Sequence, residues 1–301
     1  MSGAARIAVN VASTPRDLQN IPVEDLTITL DGLRWRYRHA GSGAALLLVH
    51  GLLGHSFSWR NTVPVLARQA NVYAVDLPGS GLSDPPSDGD GSLRASAQRL
   101  LHFMDALNLS RCDILGTSYG GAVAMMLAAL VPERVYRLIL VAPVNPWSHH
   151  GKVLAPFLCS PVIAPLFLRL MPNLGLLHEF YFRRLFGDTR RIRPGTLAGY
   201  IEPLLRRGSL AHTMGVLRWW NHDLRELQSM LPRIAHIPTL LLWGSQDVAV
   251  NPASAQKLKQ KFRNCQVLTL EGTGHLPYEE VPDEFNRAIV EFLARTANCK
   301  P

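Results

Sequence analysis

The sequence predicts an α/β fold: one mostly parallel eight-stranded sheet flanked by helices, with a helical segment inserted after the sixth strand. Three observations lead there. Continuous apolar runs such as "AALLLVH", "NVYAVD", "CDILG" and "VYRLILVAP" suit strands buried on both faces, because a strand with one wet face would alternate polar and apolar residues. Stretches with helical spacing, such as "SLRASAQRLLHFMDAL", separate those runs, and strand–helix alternation makes the sheet parallel. The alternation stops once, from Pro146 to about Arg233, where helix-like blocks broken by Pro and Gly take over.

In chain order, residues 1–20 read as an N-terminal extension, and any disorder is expected at the ends of the chain. Residues 21–145 open the core. Within them "LTITLDGLRWRYR", residues 26–38, alternates apolar and polar on either side of Asp31-Gly32. That dipeptide favours a two-residue hairpin, since both central positions take positive φ, so an antiparallel hairpin is expected first. The four apolar runs follow, with helices between them. Residues 146–233 form the helical insertion, and residues 234–301 resume the core, with strands at "PTLLLWG" and "CQVLTLEG" and helices over 252–262 and 282–296. The longest charge-free run of the insertion, "VLAPFLCSPVIAPLFL", is cut by Pro156, Pro161 and Pro165 and is too short to span a bilayer, so no transmembrane segment is expected.

With 301 residues, 47% apolar and 18% charged, the chain can bury a core without disulfide staples. Cys112, Cys159, Cys265 and Cys299 lie far apart and form no C-x-x-C pair, which encodes neither a zinc ribbon nor a dithiol redox motif. The first twenty residues lack an unbroken apolar stretch of signal-peptide length, pointing to a cytoplasmic protein with reduced thiols. The net charge of +8 invites a nucleic-acid reading until it is located. Residues 146–233 carry 12 Lys+Arg against 5 Asp+Glu, so nearly all of the excess belongs to the insertion. No recognised binding motif accompanies it, and no nucleic-acid partner is expected. His149, His150, His178, His212 and His222 show no H-E-x-x-H spacing, so neither a metal nor a cofactor is expected.

Gly116-Thr117-Ser118-Tyr119-Gly120 fits G-x-S-x-G, and it stands where that motif's chemistry requires: an apolar run before, an Ala-rich helical run directly after. A turn this sharp brings backbone against backbone, which glycine permits, and the helix N-terminus favours developing negative charge. A serine hydroxyl is a weak nucleophile, so it needs a base to take its proton and an acid to orient that base. Asp247 follows the strand "PTLLLWG", and His275 follows "CQVLTLEG". In a parallel sheet all three loops open at the C-terminal edge, where ligands of open α/β sheets bind. "HGLLGHSFSW" follows the strand "AALLLVH", and its glycines free the backbone to aim N–H groups at the site. The amides of Leu52 and Tyr119 are the candidates for holding an oxyanion, with the amide after Leu52 as an alternative. His50 reads as a structural residue and His55 as pocket wall.

Through "HGLLG", "DLPGSGLSD", "GTSYGG", "WGSQD" and "GTGHLPYEEVPDEF", covering roughly residues 25–145 and 235–297, the chain resembles the α/β-hydrolase superfamily in its capped branch of esterases, carbon–carbon bond hydrolases, epoxide hydrolases and haloalkane dehalogenases. The resemblance implies that residues 76–84 form a structural loop, which leaves Asp76 out of catalysis. Epoxide hydrolases and dehalogenases attack with a carboxylate where this chain has Ser118, so the resemblance implies acyl transfer to serine. Asn145 occupies the alternative acid position and lacks a carboxylate, which favours Asp247.

The expected activity is therefore hydrolysis of an ester or related acyl bond of an apolar small molecule. Carbon–carbon hydrolysis and cofactor-free perhydrolysis use the same residues, and a low-turnover ligand receptor could retain them. The insertion corresponds to the superfamily's cap. Its apolar segment "APFLCSPVIAPLFLRLM" is expected to line the pocket, with its arginines either solvated or forming a basic lid for anionic substrates or weak contact with a membrane surface.

Overall fold

Strands β1 (Glu24–Leu30) and β2 (Leu33–Ala40) form an antiparallel hairpin whose two turn residues, Asp31 and Gly32, have φ of 50° and 77°. Both are positive, as a two-residue hairpin turn of this kind demands. The computed structural model describes residues 21–148 and 150–296; the expected extension at residues 1–20, His149 and Cys299 lie outside the described residues.

The remaining strands are β3 (Ala45–Val49), β4 (Asn71–Val75), β5 (Cys112–Thr117), β6 (Val135–Val141), β7 (Thr239–Gly244) and β8 (Cys265–Leu270). They join in one eight-stranded sheet of order β1-β2-β4-β3-β5-β6-β7-β8, parallel throughout except for the pairings of β2 with β1 and β4. Every residue of β5 and β7 is buried, as continuous apolar runs require, whereas β8, at the edge, is mostly wet. Alternation splits the core into two layers. Leu47 and Val49 pack with Trp35, Phe103 and Trp243 on one face, while Leu46 and Leu48 pack with Trp59, Phe285 and Ile289 on the other.

The sheet's helices are α1 (Val63–Leu66), α2 (Leu93–Ala106) and α3 (Tyr119–Leu130). Five cap helices follow β6: α4 (His150–Leu158), α5 (Ile163–Leu170), α6 (Gly175–Arg183), α7 (Thr196–Leu204) and α8 (Ser209–Met230). The core closes with α9 (Ser254–Lys259), α10 (Pro277–Glu280) and α11 (Pro282–Arg295). The helix expected over 252–262 is shorter because its C-terminal end tightens into i→i−3 turns, with Lys261 N–H donating to Leu258 O and Phe262 N–H to Lys259 O.

Pro165 sits in the first turn of α5, where no N–H is needed, whereas Pro156 and Pro203 lie deeper inside cap helices, and the expected break at Pro156 does not occur there. A proline at position i has no N–H for the carbonyl at i−4. For Pro156 that carbonyl belongs to Lys152, and Asn221 Nδ2 of α8 donates to it at 3.1 Å. For Pro203 it belongs to Gly199, and His55 Nε2 of the core donates to it at 2.8 Å. Each orphaned acceptor is thus satisfied from another element. The bend of 87° falls later, between Leu158 and Ile163.

The cap also corrects an expectation. Phe157, Val162, Leu166 and Leu170 are exposed and do not line the pocket, whereas Ala155 and Ala164 are buried. Helices α4 and α5 both contact α8. Burying alanines on these helices permits close approach and turns the bulky side chains outward.

At Gly120 a β-carbon would lie 2.2 Å from His50 O and 2.4 Å from Val49 O, both backbone atoms with nowhere to move. Gly120→Ala should therefore destabilise the protein by about 3 kcal/mol or more in urea unfolding. Gly215→Ala, in α8, where the nearest contacts are 3.7 Å and 3.9 Å, should be neutral or stabilising by up to about 1 kcal/mol, since alanine is the better helix former. Equal effects for the two substitutions would refute the close-contact account.

Candidate active site

Strand β5 ends at Thr117 and α3 begins at Tyr119, so Ser118 alone makes the turn, at φ 52° and ψ −121°. A non-glycine residue there costs roughly 1–3 kcal/mol, tolerated only where the surroundings dictate it. They do: Ser118 N–H donates to Val141 O at 2.9 Å, and Ser118 O accepts from Gly121 at 3.0 Å and Val144 at 2.9 Å. A β-carbon at Gly116 would lie 2.5 Å from Gly120 O, so the motif's flanking glycines let strand and helix touch. Ser118 is only partly covered, in contrast to its buried neighbours.

Two strands away along the same edge, Asp247 and His275 are paired. His275 Nδ1 lies 2.8 Å from Asp247 Oδ2, and both residues are buried. Asp247 Oδ1 accepts from Ala249 N–H at 2.8 Å and Val250 N–H at 2.9 Å, which fixes the carboxylate before the histidine meets it. An acceptor at Nδ1 places the ring proton there and leaves Nε2 as the basic nitrogen. Nε2 has no hydrogen-bond partner among the described residues.

The loop after β3 is strained as well. Gly54 N–H closes a turn on Gly51 O at 3.0 Å, with Leu53 at φ 62°. The amide N–H groups of Leu52 and Tyr119 donate to no acceptor among the described residues; Tyr119 is the first residue of α3, where N–H groups have no helical partner. A narrow cavity beside them is lined by His50, Leu52, Leu77, Tyr119, His212 and Val216, which brings α8 over the turn.

The neighbouring polar residues are structural. His50 Nδ1 donates to Gly51 O at 2.8 Å, and Nε2 accepts from Leu77 N–H at 3.0 Å. Asp76 accepts from Ser56 N–H at 2.7 Å and Leu82 N–H at 2.9 Å, tying down its loop. Asn145 donates to Pro143 O and Ser254 Oγ. His55, expected as pocket wall, instead hooks the cap at Gly199. On α8, His222, Asp223 and Glu226 bring ligand-type atoms within 4.8 Å of one another, but Asp223 accepts from Leu93 N–H and Glu226 pairs with Arg94.

Sequence reasoning missed the pair Glu279 and Glu280. Glu280 accepts from the backbone N–H groups of Gly187, Asp188 and Gly274, while Leu185 O accepts from His275 N–H at 2.7 Å. Glu279 binds Arg60 through both oxygens and accepts from the Tyr200 hydroxyl at 2.7 Å. The available signal was two adjacent acids in "PYEEVP", one turn after His275, in a segment otherwise apolar. Buried carboxylates need donors, and here cap and core supply them together.

The sequence profile of the alpha/beta hydrolase family matches residues 46–288. Over 87% of this chain and 67% of its own length, the dihydrolipoyllysine-residue acetyltransferase component of the acetoin cleaving system of Pseudomonas putida is 30% identical. A monoacylglycerol lipase of Mus musculus is 28% identical over 86% of this chain and 78% of its own length. The solved structure of a thermophilic esterase from Thermogutta terrifontis superposes with a TM-score of 0.76 at 25% identity, covering 90% of this chain and 98% of that one.

Burial pushes His50 and His212, both at the cavity, down to about 4, and lowers His55 as well. A histidine with a depressed folded-state value stabilises the fold above its unfolded value near 6.5 and loses that contribution as the pH falls toward the folded value. Burial raises Asp223 to about 6, which acts in the opposite direction. Burial lowers His178 too, and with four histidines against this one raised carboxyl, Tm should fall between about pH 6.5 and 4. His212→Gln should flatten that slope. An unchanged slope in the variant would show that His212 does not contribute.

Proposed function

Because the chain belongs to the alpha/beta hydrolase family, we propose that it is a serine hydrolase cleaving an ester or related acyl bond of a largely apolar small molecule. The observation that carries this reading is the His275–Asp247 pair at 2.8 Å, on the sheet edge where Ser118 makes its strained turn. In the proposed reaction His275 Nε2 takes the proton of Ser118 Oγ as that oxygen adds to the substrate carbonyl. Asp247 holds the ring and stabilises its positive charge. The Leu52 and Tyr119 amides bind the oxygen of the tetrahedral species. Collapse expels the alcohol, which receives the proton from His275, and leaves an acyl group on Ser118. Water, deprotonated by the same imidazole, then releases the acid. Every proton moves between groups of this chain and the reactants, so the cycle requires neither metal nor cofactor. The names of the mouse lipase and the T. terrifontis esterase agree with an ester as substrate.

A fluorophosphonate should label Ser118, and Ser118→Ala should abolish both labelling and turnover of p-nitrophenyl esters. His275→Ala should lower kcat by roughly 10⁴-fold, and Asp247→Asn by as much or less. Labelling that survives Ser118→Ala would sink the assignment, and a labelled protein with almost no turnover on any acyl ester would favour a receptor.

A further inference from the structure

The proposed reaction leaves one surface of the cap unused. Among the described residues, seventeen large apolar side chains are exposed, and eleven of them fall within residues 153–181. Leu176, Val153 and Val162 are 86%, 80% and 77% exposed, whereas outside this stretch no such residue exceeds 46%. A scattered apolar surface needs no explanation, but a concentrated one does.

This stretch is also the part of the cap least tied to the sheet. Helices α7 and α8 and the chain before them are anchored by His55 to Gly199, Glu279 to Tyr200, Glu280 to Gly187 and Asp188, Arg206 to Gly81 and Asp223 to Leu93. Among the described residues no hydrogen bond links residues 153–181 to the sheet domain. The charge pattern is one-sided. Arg169 and Glu179 are the only charged residues within the stretch, and Lys152, Arg183 and Arg184 border it. Glu179 and Arg183 pair with each other at 2.7 Å, which leaves Lys152, Arg169 and Arg184 as the net positive charge of the rim.

We propose that this face of α4, α5 and α6 docks on the surface of an anionic phospholipid bilayer. Apolar helices with basic margins lie in the headgroup region, where the apolar face leaves water and the cations meet lipid phosphates. They lie on the surface and do not cross it: segments of 8 and 11 residues, Gly151–Leu158 and Ile163–Asn173, bent by 87°, reach only about 12 and 16 Å against a hydrocarbon core of roughly 30 Å. The competing occupant is a second copy of the chain. A two-fold pairing through this face would gather Lys152, Arg169 and Arg184 of both copies at one interface, where the only carboxylate of the stretch, Glu179, is already held by Arg183. Helix α6 ends at Arg183, and two residues on the Leu185 carbonyl accepts from His275 N–H, so the chain leaving the docked face reaches the candidate site. Delivery of a membrane-dissolved ester to Ser118 rests on the proposed hydrolase reading; the docking does not.

The test is flotation of the full chain with vesicles of phosphatidylcholine alone and of phosphatidylcholine mixed with phosphatidylglycerol, together with sedimentation equilibrium without lipid. The wild type should float with the mixed vesicles, less at high salt and less with phosphatidylcholine alone. Val153→Asp combined with Leu176→Asp should reduce partitioning at least about tenfold. Arg169→Gln combined with Arg184→Gln, which leaves the apolar surface alone, should reduce it about tenfold at low salt. Ser118→Ala should float like the wild type, which separates failure of docking from failure of the hydrolase reading. Absence of flotation with mixed vesicles would overturn the proposal, as would flotation unaffected by either pair of substitutions. Self-association abolished by Val153→Asp and Leu176→Asp, without flotation, would assign the face to a second copy.

Discussion

The site depends on a place where backbone touches backbone. Gly120 sits so close to the carbonyls of Val49 and His50 that a β-carbon could not be accommodated, and Gly116 stands in the same relation to Gly120. This contact lets α3 start against the ends of β3 and β5, which in turn forces Ser118 into its unusual φ and ψ. The loop after β3 closes on the same turn, with Gly51 against Ser118, and Leu52 and Tyr119 line one cavity there. The strain at Ser118 and at Leu53 is offset by the buried layers on both faces of the sheet, whose apolar area is worth many times that cost.

The cap is attached by a different device. Pro203 removes an N–H and so frees the carbonyl of Gly199, which His55 of the core then takes; within the cap, Pro156 frees that of Lys152 for Asn221, which ties α4 to α8. Glu279 and Glu280 are buried, and an unpaired carboxylate in such a place would be severely penalised. Their donors come from both sides: Tyr200, Gly187 and Asp188 from the cap, Arg60 and Gly274 from the sheet domain. Separation of the cap from the sheet would leave charges and dipoles without partners, so these anchors are stiffer than apolar contact alone. The outer helices lack such anchors and present apolar surface instead. The cap therefore has a rigid inner part over the candidate site and an outer part whose contacts lie elsewhere.

Most of the strand positions were legible because a strand buried on both faces must be apolar without interruption, and "CDILG" and "TLLLWG" contain little else. The hairpin was legible because Asp31-Gly32 is one of the few dipeptides that accept two positive φ values. The Ser118, Asp247 and His275 positions were readable for a related reason: a parallel sheet delivers every strand end to one edge. The fate of the cap's bulky residues was not readable. Apolar content says that a helix has a face to bury, but the direction of that face depends on which helix it meets, and α4 and α5 meet α8 through Ala155 and Ala164.

Residue order alone thus settled the sheet, the helical insertion and the loops that carry the candidate chemistry, because these follow from periodicity and from the special backbone demands of a few glycines. Folding in three dimensions decided the rest. His55 is a cap anchor and not a pocket wall because Gly199, whose carbonyl Pro203 leaves free, lies far along the chain but next to it in space. Glu280 is a buried clamp and not a solvated acid because two N–H groups of the distant cap, those of Gly187 and Asp188, converge on it with that of nearby Gly274. Leu176 faces outward because no other element covers it. Hydrogen-bond satisfaction and side-chain direction are properties of neighbours in space, and those neighbours exist only after the chain has closed on itself.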